Sequence, residues 1–393
     1  MSEYQYYEFA ALDQPLTKAQ QAELRACSSR AEITTGSFVN EYHWGDLKAD
    51  PFEWMEDYFD AHVYSSNFGY CRLMLRLPKD ALSASDAAAT AGGPARRGRY
   101  GGDAFSIHSG RKHWILDWSF NGEGDEDERF YTESDGAGWM ARLAPLRDEL
   151  LRGDQRPLYL GWLARLCSCE LDDDALEPPV PPGLDDLTPA QLALAEFLLL
   201  DPDLLAVAQA ASPVPATTSR TDAEMDEWIS SLPPAQLRDT ARSLLAGDGL
   251  RVERSLRGQY LAWLRERRPA RTPQHVRRTV AQIEAARPAV EQARVERERV
   301  EQQAIDARRQ AERARSLSEL AGRANSVWKD IDLNLQAGSG AAYERAQRSV
   351  VELAQALNAA GREAEFRRGL VKLLSTHGHR KAWIERLHKA GLM

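Results

Sequence analysis

The chain has 393 residues, a formal net charge of −9, 28% charged and 43% apolar side chains, which is length enough for one full core and room for two or three. Four cysteines exclude a disulfide scaffold, and no window holds the ~18 uninterrupted apolar residues that a membrane helix needs. The opening Met1-Ser2-Glu3-Tyr4-Gln5 is acidic and polar where a secretory signal is basic and then apolar, so a cytoplasmic location is expected.

Charge is divided unevenly. Residues 1–250 carry 21 basic and 42 acidic side chains, net −21, whereas residues 251–393 carry 29 and 17, net +12. A basic block of this size can dock on acidic surface, this chain's own first half included, or follow a phosphate backbone. Docking is the simpler reading, because the block lacks the dense interleaving of basic and aromatic residues that nucleic-acid binders favour.

Tyr4 to Ala11 is aromatic and β-prone. Thr17 to Cys27 reads as a helix capped by Thr17, with Leu16 and Leu24 on its buried side. Ile33 to Trp44 reads as a strand. Asp50-Pro51 opens a helix that is expected to place Phe52, Met55, Tyr58, Phe59 and His62 on one face. Arg72 to Leu77 is a short buried strand stopped by Pro78. Phe105–His108 and His113–Trp118 form a hairpin around Ser109-Gly110. An α+β domain over residues 1–140 is the expectation. Within it, 83–103, rich in Ala, Gly and Arg, and the acidic stretch 121–128 are expected to be mobile loops.

Beyond Trp139 the pattern is helical. A helical domain is expected over 141–270, with helices at Arg142–Leu151, Leu158–Leu166, from Thr188-Pro189, from Asp201-Pro202, and at Asp222–Ser230, Pro234–Ala246 and Arg251–Arg267. Trp228, Leu232, Leu244, Leu245, Tyr260 and Leu264 are its expected core. Residues 273–316 are charged and Gln-rich with sparse apolar positions, which predicts a long exposed helix bent near Pro288. Val276, Ile283 and Val290 sit seven apart, but the series continues to Arg297 and Ala304, so self-association through 273–316 is only weakly specified. Over 317–393 a packing face returns. Leu320, Val327, Ile331 and Leu335 precede a Gly338-Ser339-Gly340 break, Ala346, Val350, Leu353 and Leu357 follow it, and Gly361 ends that helix. This predicts a helical-hairpin tail of the tetratricopeptide kind.

Tyr343-Glu344-Arg345-Ala346 with Leu353, Gly361, Glu365-Phe366, His379-Arg380-Lys381, Leu387 and Ala390-Gly391-Leu392 resembles the helical tail of bacterial SWIM zinc-finger proteins. Trp228-Ile229-Ser230-Ser231-Leu232-Pro233 with Leu244-Leu245 and Gly247-Asp248 resembles a second helical motif of the same proteins, and the N-terminal part looks like a bacterial family of no assigned function. The family's zinc motif pairs Cys-x-Cys with a following Cys-x-His. Here Cys167-Ser168-Cys169 has no cysteine after it, so the resemblance implies shared helical scaffolding, shared partners and a setting in nucleic-acid handling or defence, without zinc.

Candidate chemistry is thin. Cys167 and Cys169, with Cys27 and Cys71 distant, make an incomplete metal set, and neither metal nor cofactor is expected. His108, His113 and Asp117 are the only acid–base candidates; His113 and Asp117 share a strand face by their even spacing, which lets them meet. The simpler reading is an exposed polar hairpin face opposite Trp114, Leu116 and Trp118. Arg96, Arg97, Arg99 and Tyr100 combine phosphate and stacking groups in a loop, a weak nucleic-acid candidate against a solvated insertion. Tyr42, Trp44, Phe68 and Tyr70 are candidates for a partner surface, against a role in the core. Phosphate-loop, dinucleotide and nucleophile-elbow motifs are absent. The expectation is a non-enzymatic interaction scaffold or adaptor with a protein partner. A hydrolase or nuclease using His108, His113 and Asp117, or a nucleic-acid binder acting through the basic half, stands second.

Overall fold

The structure is a computed structural model and describes residues 4–91, 102–122, 136–214, 222–247, 249–267 and 277–393. The chain divides into two compact units, Met1–Glu291 and Gln292–Met393.

In the first unit seven strands form one antiparallel sheet: β1 (Gln5–Ala10), β2 (Glu32–Ile33), β3 (Ser37–Tyr42), β4 (Ala61–Ser66), β5 (Tyr70–Pro78), β6 (Phe105–Ser109) and β7 (His113–Asn121), ordered β2-β3-β1-β4-β5-β7-β6. Alternation sorts each strand's side chains onto two faces. On one, Phe9, Phe38, Tyr64, Met74 and Ile115 pack with Leu24 of α1 (Lys18–Cys27) and with Phe52 and Met55 of α2 (Pro51–Asp57). On the other, Val63, Leu73, Leu75, Leu116 and Trp118 pack against α4 (Trp139–Leu143), α5 (Pro145–Leu151), α6 (Arg156–Cys167), α7 (Pro189–Phe197) and α8 (Pro202–Ala211). The sheet is therefore covered on both faces, and β4 and β5 are buried through most of their length for that reason.

Local signals set the helix starts. Thr17 accepts from the Gln20 amide while the Gln20 side chain returns to the Thr17 amide, and Thr188 and Gln191 repeat this box at α7. Asp50 and Asp201 cap α2 and α8 ahead of Pro51 and Pro202. Gly161 lies against the Phe105 ring, so a β-carbon there would collide with it. That contact brings α6 down onto β6.

Several expectations need correction. The helix opened by Pro51 stops at Asp57, and His62 belongs to β4, a strand that the helical spacing hid. Residues 84–91, expected to be mobile, form α3 (Ala84–Ala91) with Ala87 in the core; 92–101 and 123–128 of the expected loops lie outside the described residues. The boundary expected at residue 140 divides no core, because sheet and helices 139–208 share one apolar cluster. Helices α9 (Asp222–Ser231), α10 (Pro234–Leu245) and α11 (Gly249–Arg267) follow, with Trp228 against Tyr260 at 5.2 Å, but Leu244 and Leu245 are exposed.

Helix α12 (Val280–Gly322) runs as one helix through Pro288. Its middle, from about Gln292 to Ser316, is solvated as expected, but its first turns are not: Val280 and Ile283 are buried in the sheet–helix core. Residues 273–276 lie outside the described residues. In the second unit, α13 (Ala324–Ala337), α14 (Gly340–Ala359), α15 (Glu363–His377) and α16 (Lys381–Lys389) bury Ile331, Leu335, Val350, Leu353, Trp383 and Leu387 together. Gly338, at φ +68°, turns α13 into α14, and Ser339 caps α14. The chain is thus an antiparallel-sheet domain followed by a mainly helical array.

Candidate functional site

The two faces and two ends of the sheet decide where each candidate residue falls. His108, His113 and Asp117 do not converge. His113 and Asp117 share a face of β7, as their spacing predicts, but four residues of strand separate them by about 13 Å. That face is not exposed either, since α2 covers it and Asp117 is fully buried.

Asp117 instead forms a bidentate pair with Arg72, Nε to Oδ1 and Nη2 to Oδ2, both at 2.8 Å. His108 joins them, its Nε2 2.8 Å from Ser106 Oγ and 3.8 Å from Asp117 Oδ2. The Phe52 ring packs against both, with the Arg72 guanidinium 4.8 Å above it and the His108 ring edge-on at 4.7 Å. Burial alone would push the Asp117 carboxyl up; the Arg72 charge and its two hydrogen bonds, with His108 close by, overcome it and hold the carboxyl at about 2. Nearby, His62 is held at about 3 by burial and then by the Arg72 charge, and its Nδ1 donates to the Glu8 carbonyl at 3.0 Å. The Arg72–Asp117 pair at the centre of this cluster is ionised, paired and sealed from water, a structural arrangement rather than a reactive one.

His113 lies at the end of the sheet where β1, β5 and β7 meet α2, on a cleft of about 640 Å3 shared with Asp13, Glu56, Tyr58, Arg76 and Arg111. Its Nδ1 is 3.9 Å from Glu56 Oε2, and burial, then the Arg76 charge, pulls its pKa down. Beneath the cleft, buried Asp60 receives the Leu12 and Asp13 amides at 2.7 and 2.9 Å and the Arg76 guanidinium at 2.8 Å. Arg147 of α5 donates to both oxygens of Asp13 at 2.9 and 2.6 Å and to the Arg76 carbonyl at 2.7 Å. Glu56, Asp60, Arg76 and Arg147 were not singled out from sequence. A signal existed in β5, where Arg72 and Arg76 share one face of a strand buried on both, an arrangement that demands carboxylate partners.

The partner-surface candidates gather at the opposite end. Gln5 of β1 pairs with Tyr42 on one side and with Ser66 on the other, so the loops after β3 and β4 leave the sheet together. Trp44 there is 80% exposed. Tyr42 is half-buried, edge-on to Tyr7 at 5.6 Å, and borders a depression of about 480 Å3 that Trp44 also lines. Phe68 is 37% exposed and meets the half-buried Tyr70 edge-on at 5.6 Å. The four thus divide: Trp44 and Phe68 face solvent, while Tyr42 and Tyr70 support them from the core edge.

Arg96, Arg97, Arg99 and Tyr100 lie outside the described residues. Cys167 is half-buried and Cys169 exposed. Among the described residues no three His, Cys, Asp or Glu side chains converge as metal ligands, and no helix is long and apolar enough to cross a membrane. The chain matches no protein-family profile, no curated protein and no solved structure.

Proposed function

We propose that this chain is a protein-interaction adaptor that engages a partner through the aromatic end of its sheet. The observation that carries the reading is the exposure of Trp44, a side chain whose burial against a partner returns more apolar area than almost any other. Phe68 extends the surface, and Tyr42 and Tyr70 hold it on rigid strand ends.

Acid–base chemistry on His108 and Asp117 is disfavoured, because both are spent on Arg72 and Ser106 inside the domain. Phosphate binding along α12 finds little support, since Arg294, Arg299 and Arg308 pair with Glu298, Glu296 and Glu312 of the same helix. The resemblance to SWIM-type helical regions suggests a setting beside nucleic-acid handling or defence machinery.

The test is affinity capture of tagged full-length protein from its native host at physiological salt, with and without nuclease, beside the Trp44→Ala and Phe68→Ala variants. A stoichiometric protein that survives nuclease and is lost with Trp44→Ala is the expected result. Capture that nuclease abolishes, or that both variants retain in full, overturns it.

A further inference from the structure

One edge of the sheet is left open beside Trp44. β2 is two residues long and pairs with β3 only at Phe38 and Val39, so residues 40–42 are paired with β1 on one side alone. Along an antiparallel pair, successive residues turn their N–H and C=O groups to opposite sides. The Gly36 carbonyl accepts from Ala11 on the β1 side, whereas the Ser37 carbonyl accepts from Thr34 on the outer side. Val39 and Glu41 therefore point outward, as Ser37 does. Val39 meets Glu32 of β2. Glu41 would meet Arg30 in the same register, but the chain has turned away there, and neither backbone group of Glu41 makes a hydrogen bond among the described residues. The gap between residues 28–30 and 40–42 is the depression of about 480 Å3 that Trp44 lines.

We infer that a partner protein enters this depression as an extended segment and adds a short strand to the sheet edge, its backbone taking the Glu41 N–H and C=O and an apolar side chain packing on Trp44. The inference rests on the adaptor reading and states how that surface engages. An open ladder position selects extended backbone, because a helix has already bonded its own N–H and C=O groups internally. Backbone hydrogen bonds then supply register, and Trp44, 80% exposed and three residues beyond Glu41, supplies the side-chain contact. The same edge of a second copy is a poor occupant. Two β3 edges paired antiparallel about Glu41 would set the two Glu41 carboxylates directly opposite each other, and like charges so placed destabilise a ladder. The exposed Glu41 side chain thus guards the edge against its own kind.

The experiment selects linear peptides from a displayed random library on the full-length protein and measures the selected peptides against wild type, Trp44→Ala, Glu41→Ala and Glu41→Pro. Proline deletes the N–H and is tolerated on an edge strand where that N–H faces outward. Glu41→Pro and Trp44→Ala are each expected to weaken binding about tenfold or more, and Glu41→Ala less than about threefold. In wild type, peptide should also protect the Glu41 amide from hydrogen exchange. Should Glu41→Pro fail to fold, that protection carries the test. Binding that Trp44→Ala loses while Glu41→Pro keeps it, with the Glu41 amide unprotected, overturns strand addition and leaves the adaptor surface standing. Peptides that bind Trp44→Ala as well as wild type count against both. An equal loss with Glu41→Ala, which would assign the contact to the side chain, or a library that yields no binder, also overturns the inference.

Discussion

Arg72 and Asp117 meet across β5 and β7 as a fork on a fork, two hydrogen bonds of 2.8 Å between side chains 1% and 0% exposed. Two charges taken that far from water hold together only because each satisfies the other, and removing one strands its partner. Asp117→Ala is expected to cost about 3–5 kcal/mol of unfolding free energy, read by urea denaturation. Replacing both residues with apolar side chains of similar volume should cost much less. A single variant close to wild type would show that the pair contributes nothing.

His62 gives the domain a pH dependence of known sign. Burial holds its folded-state pKa at about 3, against an ordinary value of 6.5, so the unfolded chain takes up the proton first. Stability is therefore complete above about pH 6.5 and declines as pH falls, by about 3 kcal/mol near pH 4. Asp117, depressed from 3.8 to about 2, adds a loss of the same sign only below about pH 4. In His62→Phe the decline between pH 6.5 and 4 should flatten while the steeper loss below it persists. Parallel stability curves for variant and wild type would contradict this.

Gly161 is required by the approach of α6 to the Phe105 ring. Gly161→Ala would ordinarily favour a helix interior, yet here overpacking should outweigh propensity, giving a net destabilisation of about 1–3 kcal/mol. Phe105→Leu in the same background should recover part of it. A gain in melting temperature from Gly161→Ala alone would place the helix farther from the sheet than described.

The start of α12 is tied to the body through Glu177, whose carboxylate accepts from Arg278 at 2.6 and 2.8 Å and from the Tyr159 hydroxyl at 2.5 Å. Glu177→Ala leaves both donors without their acceptor. Because Arg278 is a quarter exposed, the expected cost is about 2–3 kcal/mol, below that of a fully buried pair. Limited proteolysis should then cut near residues 277–283 sooner than in wild type. Unchanged cleavage kinetics would mean that Val280 and Ile283 anchor the helix unaided.

Much of this architecture was legible in the chain because its signals are local. Thr17, Asp50, Thr188 and Asp201 announce their helices within three residues, Gly338-Ser339 announces a break, and the alternation in β5 and β7 assigns Leu73 and Leu116 to one face and Met74 and Ile115 to the other. Even the shared face of His113 and Asp117 follows from a period of two. What the chain could not disclose is which strands are neighbours. Asp117 finds Arg72 and His108, and His113 finds Glu56, only because β7 lies between β5 and β6 and α2 crosses that face. Such pairings depend on register and on residues tens of positions apart, which no local pattern encodes. The same holds for β4, whose His62 continues the spacing of the preceding helix until burial on both sides of the sheet makes the segment a strand, and for the first turns of α12, sparse in apolar residues yet buried because Glu177 and the sheet core receive them. Sequence determined most of the elements and the faces of their strands; packing decided the rest, and which charges would meet.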